Sequence, residues 1–284
     1  MKWFFALNEQ GADFEHYAAM LKVAVHTAAR HTSLVPHLIY DGAENDLTAW
    51  LRRRKVAIIK RRSFLYESLR EIAERRTDPN ILAIGGGAFL RTELPQLTGE
   101  LGMSDEFVLY TDCDVMFMGE VCDFLPALRP RFFAVAPEFF IGDYRAMNSG
   151  VMLMNLPRLR QDDRRFRKFM AEKIEELTRN TWDQHAYKEF YRSKLSRRLF
   201  KWSKLPERYN WKPYWGDYSA AKIIHFHGPK PHQQGVLDSG DVPAHLKALV
   251  PLAERGAYYE LCALWDEALR EAEQSPKNVF AHSL

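Results

Sequence analysis

Over its first 115 residues the chain alternates short apolar runs with amphipathic segments, and no other feature limits its fold so tightly. KWFFAL (2–7) gives way to the polar NEQGAD, the pattern of a strand followed by a turn. From His16 to His31 the apolar residues Tyr17, Met20, Leu21, Val23, Ala24 and Ala28 recur at helical spacing. LVPHLIYDG (34–42) and KVAIIKR (55–61) read as further strands, separated by the short helix DLTAWLRRR (46–54). SFLYESLREIAERR (63–76) is helical, IGGG (84–87) reads as a turn, and AFLRTELPQL (88–97) begins another helix. FVLYTD (107–112) is the next strand. Such alternation predicts an α/β fold with a mixed, mostly parallel central sheet. Sheets of this kind bind ligands at the carboxyl ends of their strands.

Further along, RFFAVAPEF (131–139) and AMNSGVMLMNL (146–156) read as strands. Residues 162–179 and WDQHAYKEFYRSK (182–194) read as helices, and AKIIHFHGPKPH (221–232) as a strand entering a Gly-Pro loop. Two helices are expected within 243–274. No repeat or long linker interrupts the chain, so the expected division is a main domain over 1–240 with a helical extension over 241–284.

The strand at 107–112 ends abruptly in two aspartates one residue apart. In an extended segment Asp112 and Asp114 share a side while Cys113 faces away. Two such carboxylates either share a proton or surround a cation. Hard oxygen ligands suit Mg²⁺ or Mn²⁺, and a metal held by two carboxylates keeps positions open for phosphate oxygens. The alternative is a chance D-x-D in a solvated turn. His225 and His227 also share a side, just past an apolar run, and one of them offers a nitrogen ligand. Gly228 permits close backbone approach to a phosphate, and Lys230 offers charge to neutralise one. A histidine satisfied at a strand end and an H-x-H zinc site stay open as readings.

The totals exclude several classes. A chain of 284 residues, 46% hydrophobic, can bury a large core, and 27% charged residues is ordinary for a soluble protein. A net charge of +3 gives no argument for a nucleic-acid partner, and none is expected. Three scattered cysteines without C-x-x-C fit reduced thiols in a cytoplasmic setting. The opening segment turns polar after about six residues, unlike a signal peptide, and no run is long enough to span a bilayer.

Together these stretches resemble glycosyltransferase family eight, retaining enzymes of the glycogenin, lipopolysaccharide galactosyltransferase and galacturonosyltransferase kinds. AFLRTELP is similar to the family's arginine-bearing helix, and VLYTDCDVMF to its L-Y-x-D-x-D motif. MNSGVMLMNL is similar to F-N-[SA]-G-V-x-L-x-N, WDQHAY to D-Q-x-x-[LF], and IIHFHGPKPH to I-H-Y-x-G-x-x-K-P-W. The five stretches occur in the family's order within residues 1 to about 232.

The resemblance implies a GT-A fold and transfer of a hexosyl group from a UDP-sugar to a saccharide or other hydroxyl acceptor, with Mn²⁺, or Mg²⁺, as cofactor. It implies that Asp112, Asp114 and His225 bind the metal. Gly228 and Lys230 would contact the diphosphate. Arg91, Asn148, Ser149, Asp183 and Gln184 would line the donor sugar, the last two as catalytic residues. Ala6, Leu7 and Asn8 would face the nucleobase and ribose, and Cys113 falls within the nucleotide-sugar site. The sequence departs from the family in three places. ALNEQGADFEHY is longer than the family's D-x-N/x-Y stretch, KPH replaces K-P-W with Lys230 one residue nearer the histidine, and Ala146-Met147 replaces a common aromatic.

Retention of configuration requires two displacements or same-face attack. An amide at Gln184 is a poor nucleophile, which favours same-face attack with the departing phosphate as base and Asp183 orienting the sugar. A non-catalytic nucleotide-sugar binder remains a rival, as does an aspartate-nucleophile phosphohydrolase using the acidic pair in QDDRRF (161–166). A nucleotidyltransferase is disfavoured, because no glycine-rich signature opens the chain. The basic runs RRRK (52–55), KRR (60–62) and SRRLFKW (196–202) read as solvated faces, or as contacts with an anionic acceptor or membrane periphery. RYNWKPYWGDY (208–218) is either core or a stacking platform for an acceptor sugar. The C-terminal apolar stripe reads as packing or as a subunit contact such as a homodimer's.

Overall fold

The computed structural model describes residues 1–11, 13–192 and 200–274. The apolar run at the start forms β1 (Lys2–Asn8), and α1 (Phe14–His31) crosses to β2 (Val35–Asp41), which lies parallel beside β1. Then come α2 (Asp46–Arg53), whose Asn45 cap is closed reciprocally by Thr48, and β3 (Ala57–Lys60). Next are α3 (Tyr66–Arg76), α4 (Asn80–Ala88), α5 (Leu94–Glu100), β4 (Phe107–Thr111), β5 (Val115–Phe117), β6 (Phe133–Pro137) and β7 (Met147–Asn155). The chain continues through α6 (Leu156–Leu177), α7 (Trp182–Phe190), β8 (Ser203–Lys204), β9 (Ile223–His225), α8 (Gln234–Asp238), α9 (Val250–Ala253) and α10 (Tyr258–Gln274).

The main sheet runs β3-β2-β1-β4-β7-β6-β8, with β7 antiparallel to both neighbours and every other pairing parallel. Both faces are covered, which is why its strands are near-continuous apolar runs. Trp3, Phe5 and Leu7 enter the core beneath α1 and α2, and Phe4 enters the opposite core beneath α3 to α7. The same alternation sends Val151 and Leu153 one way and Met152 and Met154 the other. A two-stranded antiparallel sheet of β5 and β9 stands apart from the main one.

Several expectations change. IGGG is not a turn but the last part of α4, with a 3₁₀ turn (Phe89–Glu93) between it and α5. The glycines are needed for proximity: a Cβ on Gly86 would come 2.8 Å from Asn8 Nδ2, and one on Gly85 would come 2.9 Å from Leu69. The helix expected from residue 162 starts at Leu156, because Asn155 accepts from the Arg158 N–H at 3.1 Å and caps it directly after β7. Within 221–232, read as a strand entering a Gly-Pro loop, the strand is the three-residue β9, and the first of the two C-terminal helices shrinks to a 3₁₀ turn and the one-turn α9.

Much of the C-terminal stripe packs within the chain, while Leu264 stays exposed. Tyr258, Leu261 and Trp265 of α10 are buried, and Glu271 meets His26 at 3.0 Å and Arg30 at 2.9 Å on α1. The basic runs are largely committed to internal partners. Arg54 is buried over Trp50, Arg61 meets Glu93 at 2.9 Å, and Arg62 meets Asp41 at 3.2 Å. Residues 196–199 of the third run lie outside the described residues; Lys201 is exposed. Among the described residues, no helix is long and apolar enough to cross a membrane.

A candidate metal centre at the end of β4

Two strand pairings assemble the acids and the histidine. β4 pairs with β7 so that Thr111 faces Val151, and the next amide, Asp112 N–H, donates to Gly150 O at 2.8 Å. β5 pairs with β9 so that Val115 faces His225, and Asp114, one residue earlier, lands beside that imidazole. Asp112, Cys113 and Asp114 form the bend between β4 and β5 rather than a continuation of the strand. The alternation argument nevertheless holds for Cys113, whose thiol turns away and donates to Ala6 O at 3.2 Å. Ligand atoms of Asp112, Asp114 and His225 all lie within 4.8 Å of one another, and this is the one such cluster among the described residues. His227 does not join them; its Nδ1 meets the Tyr214 hydroxyl at 2.7 Å.

The tautomer of His225 is set by a chain of amides. The Gly150 N–H needs an oxygen, so Asn148 presents Oδ1 to it at 3.1 Å. That same oxygen accepts from Asn210 Nδ2 at 2.9 Å, which turns Asn210 Oδ1 toward His225 Nδ1, also at 2.9 Å. Nδ1 is therefore the donor, and in the neutral imidazole Nε2 presents a lone pair to Asp114 Oδ1 at 3.3 Å. That buried carboxylate oxygen has no hydrogen-bond partner among the described residues. Two lone pairs facing one another call for a cation between them, so the residues present fit a divalent metal with oxygen and nitrogen donors. Gly150 makes the arrangement possible, since a Cβ there would stand 2.1 Å from His225 Cε1.

Lys230, expected at a diphosphate, donates to Asp114 Oδ2 and, at 2.7 Å, to Phe226 O. Burial raises the Asp114 carboxyl, but the Lys230 ammonium is the first group to oppose it, and the carboxyl is held well below the usual carboxylate range. Gly228 takes a positive φ of 94° in the loop that returns Lys230 to the acids.

Arg91 is buried behind Asp112. Its Nη2 donates to Asp112 Oδ1 at 2.7 Å, Nη1 donates to Ser149 O, and the guanidinium lies 4.5 Å over the Tyr110 ring. Nε comes within 3.1 Å of Asp183 Oδ2, yet neither atom makes an aligned hydrogen bond among the described residues. Burial pushes the Asp183 carboxyl up to about 6, with Arg91 opposing and Asp112 adding to the rise. Gln184 Oε1 accepts from Ser149 N–H at 2.9 Å, and its Nε2 donates to Glu138 Oε1 at 2.6 Å. At the end of β1, Asn8 donates to Ala83 O at 2.9 Å, while Ala6 and Leu7 lie in the strand just before it.

The sequence reading missed four residues here. Asn210 fixes the metal-facing imidazole and Glu138 braces Gln184. Lys212 is fully buried between their backbones. Tyr17, exposed on α1, lies near Asp112 and Asp114. Only Asn210 and Lys212 had a signal, as polar residues embedded in the aromatic stretch 208–218. Within that stretch Tyr209 and Tyr214 are buried packing residues. Asp162 and Asp163, the rival acidic pair, meet Arg165 and Arg167 on their own helix.

No family model matches the chain, and no curated protein matches its sequence. Solved structures do share its fold. The glycosyltransferase GlyE of Streptococcus pneumoniae TIGR4 superposes with a TM-score of 0.58 at 17% identity, over 95% of this chain and 63% of GlyE. The galactosyltransferase LgtC, in complex with donor and acceptor sugar analogs, gives 0.57 at 18% identity over 89% of this chain and 95% of LgtC. Mouse xyloside xylosyltransferase 1 gives 0.51 at 16% identity, over 79% and 97%. The chain thus spans less than two thirds of GlyE and nearly all of LgtC. What is shared at these identities is the fold, the α/β arrangement with a mixed, mostly parallel sheet found in GT-A glycosyltransferases.

Proposed function

We propose that this protein is a metal-dependent, retaining glycosyltransferase that moves a hexosyl group from a UDP-sugar to a hydroxyl-bearing acceptor. One observation carries the reading: Asp112, Asp114 and a tautomer-fixed His225 converge at the carboxyl end of β4 in a fold shared with glycosyltransferases. Asp112, Asp114 and His225 would hold a divalent cation such as Mn²⁺, whose charge stabilises a departing diphosphate. Lys230, already at Asp114, adds positive charge to the same place.

Arg91 holds Asp112 and the Ser149 carbonyl in fixed relation, so the ligand carboxylate does not swing. Asp183 orients sugar hydroxyls. Gln184 is tied at both ends of its amide, to Ser149 and to Glu138, which suits a positioning role on the sugar face rather than attack. The acceptor hydroxyl then approaches from the face the diphosphate leaves. A glycosyl-Asp183 adduct seen by intact mass would refute that geometry.

Titrating UDP calorimetrically with and without Mn²⁺ tests the core of the proposal. Binding that needs the metal, together with Mn²⁺-dependent UDP release from one member of a UDP-sugar panel, is the expected result. UDP binding indifferent to metal would refute it, and metal-dependent binding without release from any donor would mark a non-catalytic binder.

A further inference from the structure

Lys212 has no place in the proposed reaction, yet its side chain is fully buried and meets no carboxylate at ion-pair distance among the described residues. Taking an ammonium out of water without an anion is costly, and burial pulls this amine well below the usual lysine range. Lys212 Nζ donates to Pro137 O at 2.9 Å and to Asn210 O at 2.9 Å, and lies 4.6 Å over the Trp215 ring. Two carbonyls thus accept from the amine and an aromatic face covers it.

Each of the two carbonyls belongs to a stretch of backbone that holds a site residue. Pro137 immediately precedes Glu138, which holds Gln184 Nε2 at 2.6 Å. Asn210 itself holds His225 Nδ1 at 2.9 Å. The segment next to it also carries β9, since Trp211 N–H donates to Ile223 O at 2.9 Å and His225 N–H to Trp211 O at 2.8 Å. One buried amine therefore pins the backbones that aim both the metal-facing imidazole and the sugar-facing amide.

We propose that Lys212 is a positioning residue for this site, setting the aim of His225 through Asn210 and of Gln184 through Glu138. The proposal rests on the glycosyltransferase function inferred for the site. Residues that orient a metal ligand affect metal affinity by about 10- to 100-fold when removed, and residues acting through one contact are non-additive.

The test uses Mn²⁺ and UDP as probes, with calorimetry and thermal melting on the full chain. Lys212→Met keeps the length of the side chain and removes its donors; it is expected to weaken Mn²⁺-dependent UDP binding by about 10- to 100-fold. Asn210→Ala should weaken it similarly, and the double variant by little more than either. Lys212→Gln keeps two N–H donors on a shorter side chain and should fall between Lys212→Met and the wild type. If folded Lys212→Met binds as the wild type does, or if its effect simply adds to that of Asn210→Ala, the proposal is wrong. If neither Lys212 variant folds, Lys212 serves the fold alone and the proposal is equally wrong. Failure of the wild type to bind UDP with Mn²⁺ would instead remove the proposed function on which the inference stands.

Discussion

Replacing Asp183 by asparagine separates the chemistry of the site from its cost. The carboxyl is buried, and Arg91 lies 3.1 Å away without aligning an N–H on it. Burial therefore dominates, and the group titrates at about 6 instead of the ordinary value near 3.9. A rise of that size corresponds to about 3 kcal/mol. The sign depends on which state holds its proton longer. Below about pH 4 both folded and unfolded chains carry it, and Asp183 costs nothing. Between about pH 4 and 6 the unfolded chain ionises first, so stability falls as pH rises, and above about 6 the full cost is present. Asp183→Asn has no proton to lose. Its stability relative to the wild type should climb by up to about 3 kcal/mol between about pH 4 and 7.5, measured by urea unfolding at a series of pH values. Over the same range the variant should lose UDP release. A stability difference independent of pH, or one that falls as pH rises, would show that Arg91 compensates the carboxylate after all.

Three further outcomes are expected. Asp114→Asn should abolish Mn²⁺-dependent UDP release while far-UV circular dichroism and cooperative melting are retained; full activity would remove the metal from the scheme. Gly150→Ala would place a Cβ 2.1 Å from His225 Cε1; it should weaken Mn²⁺-dependent UDP binding at least about tenfold and destabilise by roughly 1–3 kcal/mol, read by calorimetry and urea unfolding. Gly86→Ala would press on the amide end of Asn8 from 2.8 Å; that end can turn aside and alanine gains about 1 kcal/mol in a helix, so stability should change by less than about 1 kcal/mol in the same unfolding assay, with metal binding unchanged.

The alternation of apolar runs with helix-period segments was enough to read β1 to β4 and the helices between them, because each segment carries its own period and its own buried face. It was not enough for IGGG. Glycines in isolation signal a turn, and only the packing of α4 against Asn8 and Leu69 shows why a helix needs them there. The start of α6 was misjudged for a related reason. Its charged surface was visible in the sequence, whereas its cap, Asn155, belongs to the preceding strand.

The candidate site divides along the same line. Asp112 and Asp114 are two residues apart at the end of an apolar run, so the sequence alone places both at the strand's end and turns Cys113 the other way, while only the structure shows the bend there. The family resemblance named His225 as their partner, but periodicity and spacing alone do not bring it to them, since that depends on β5 pairing with β9 across more than a hundred residues. Nor does it show that Asn148 and Asn210 set a tautomer, that Lys230 turns back to Asp114, or that Lys212 is sealed from water. Local periodicity fixes which residues share a face, because side-chain direction is a property of the backbone a few bonds away. Which faces meet, and which polar groups are left to one another when water is excluded, is decided only when distant strands pair.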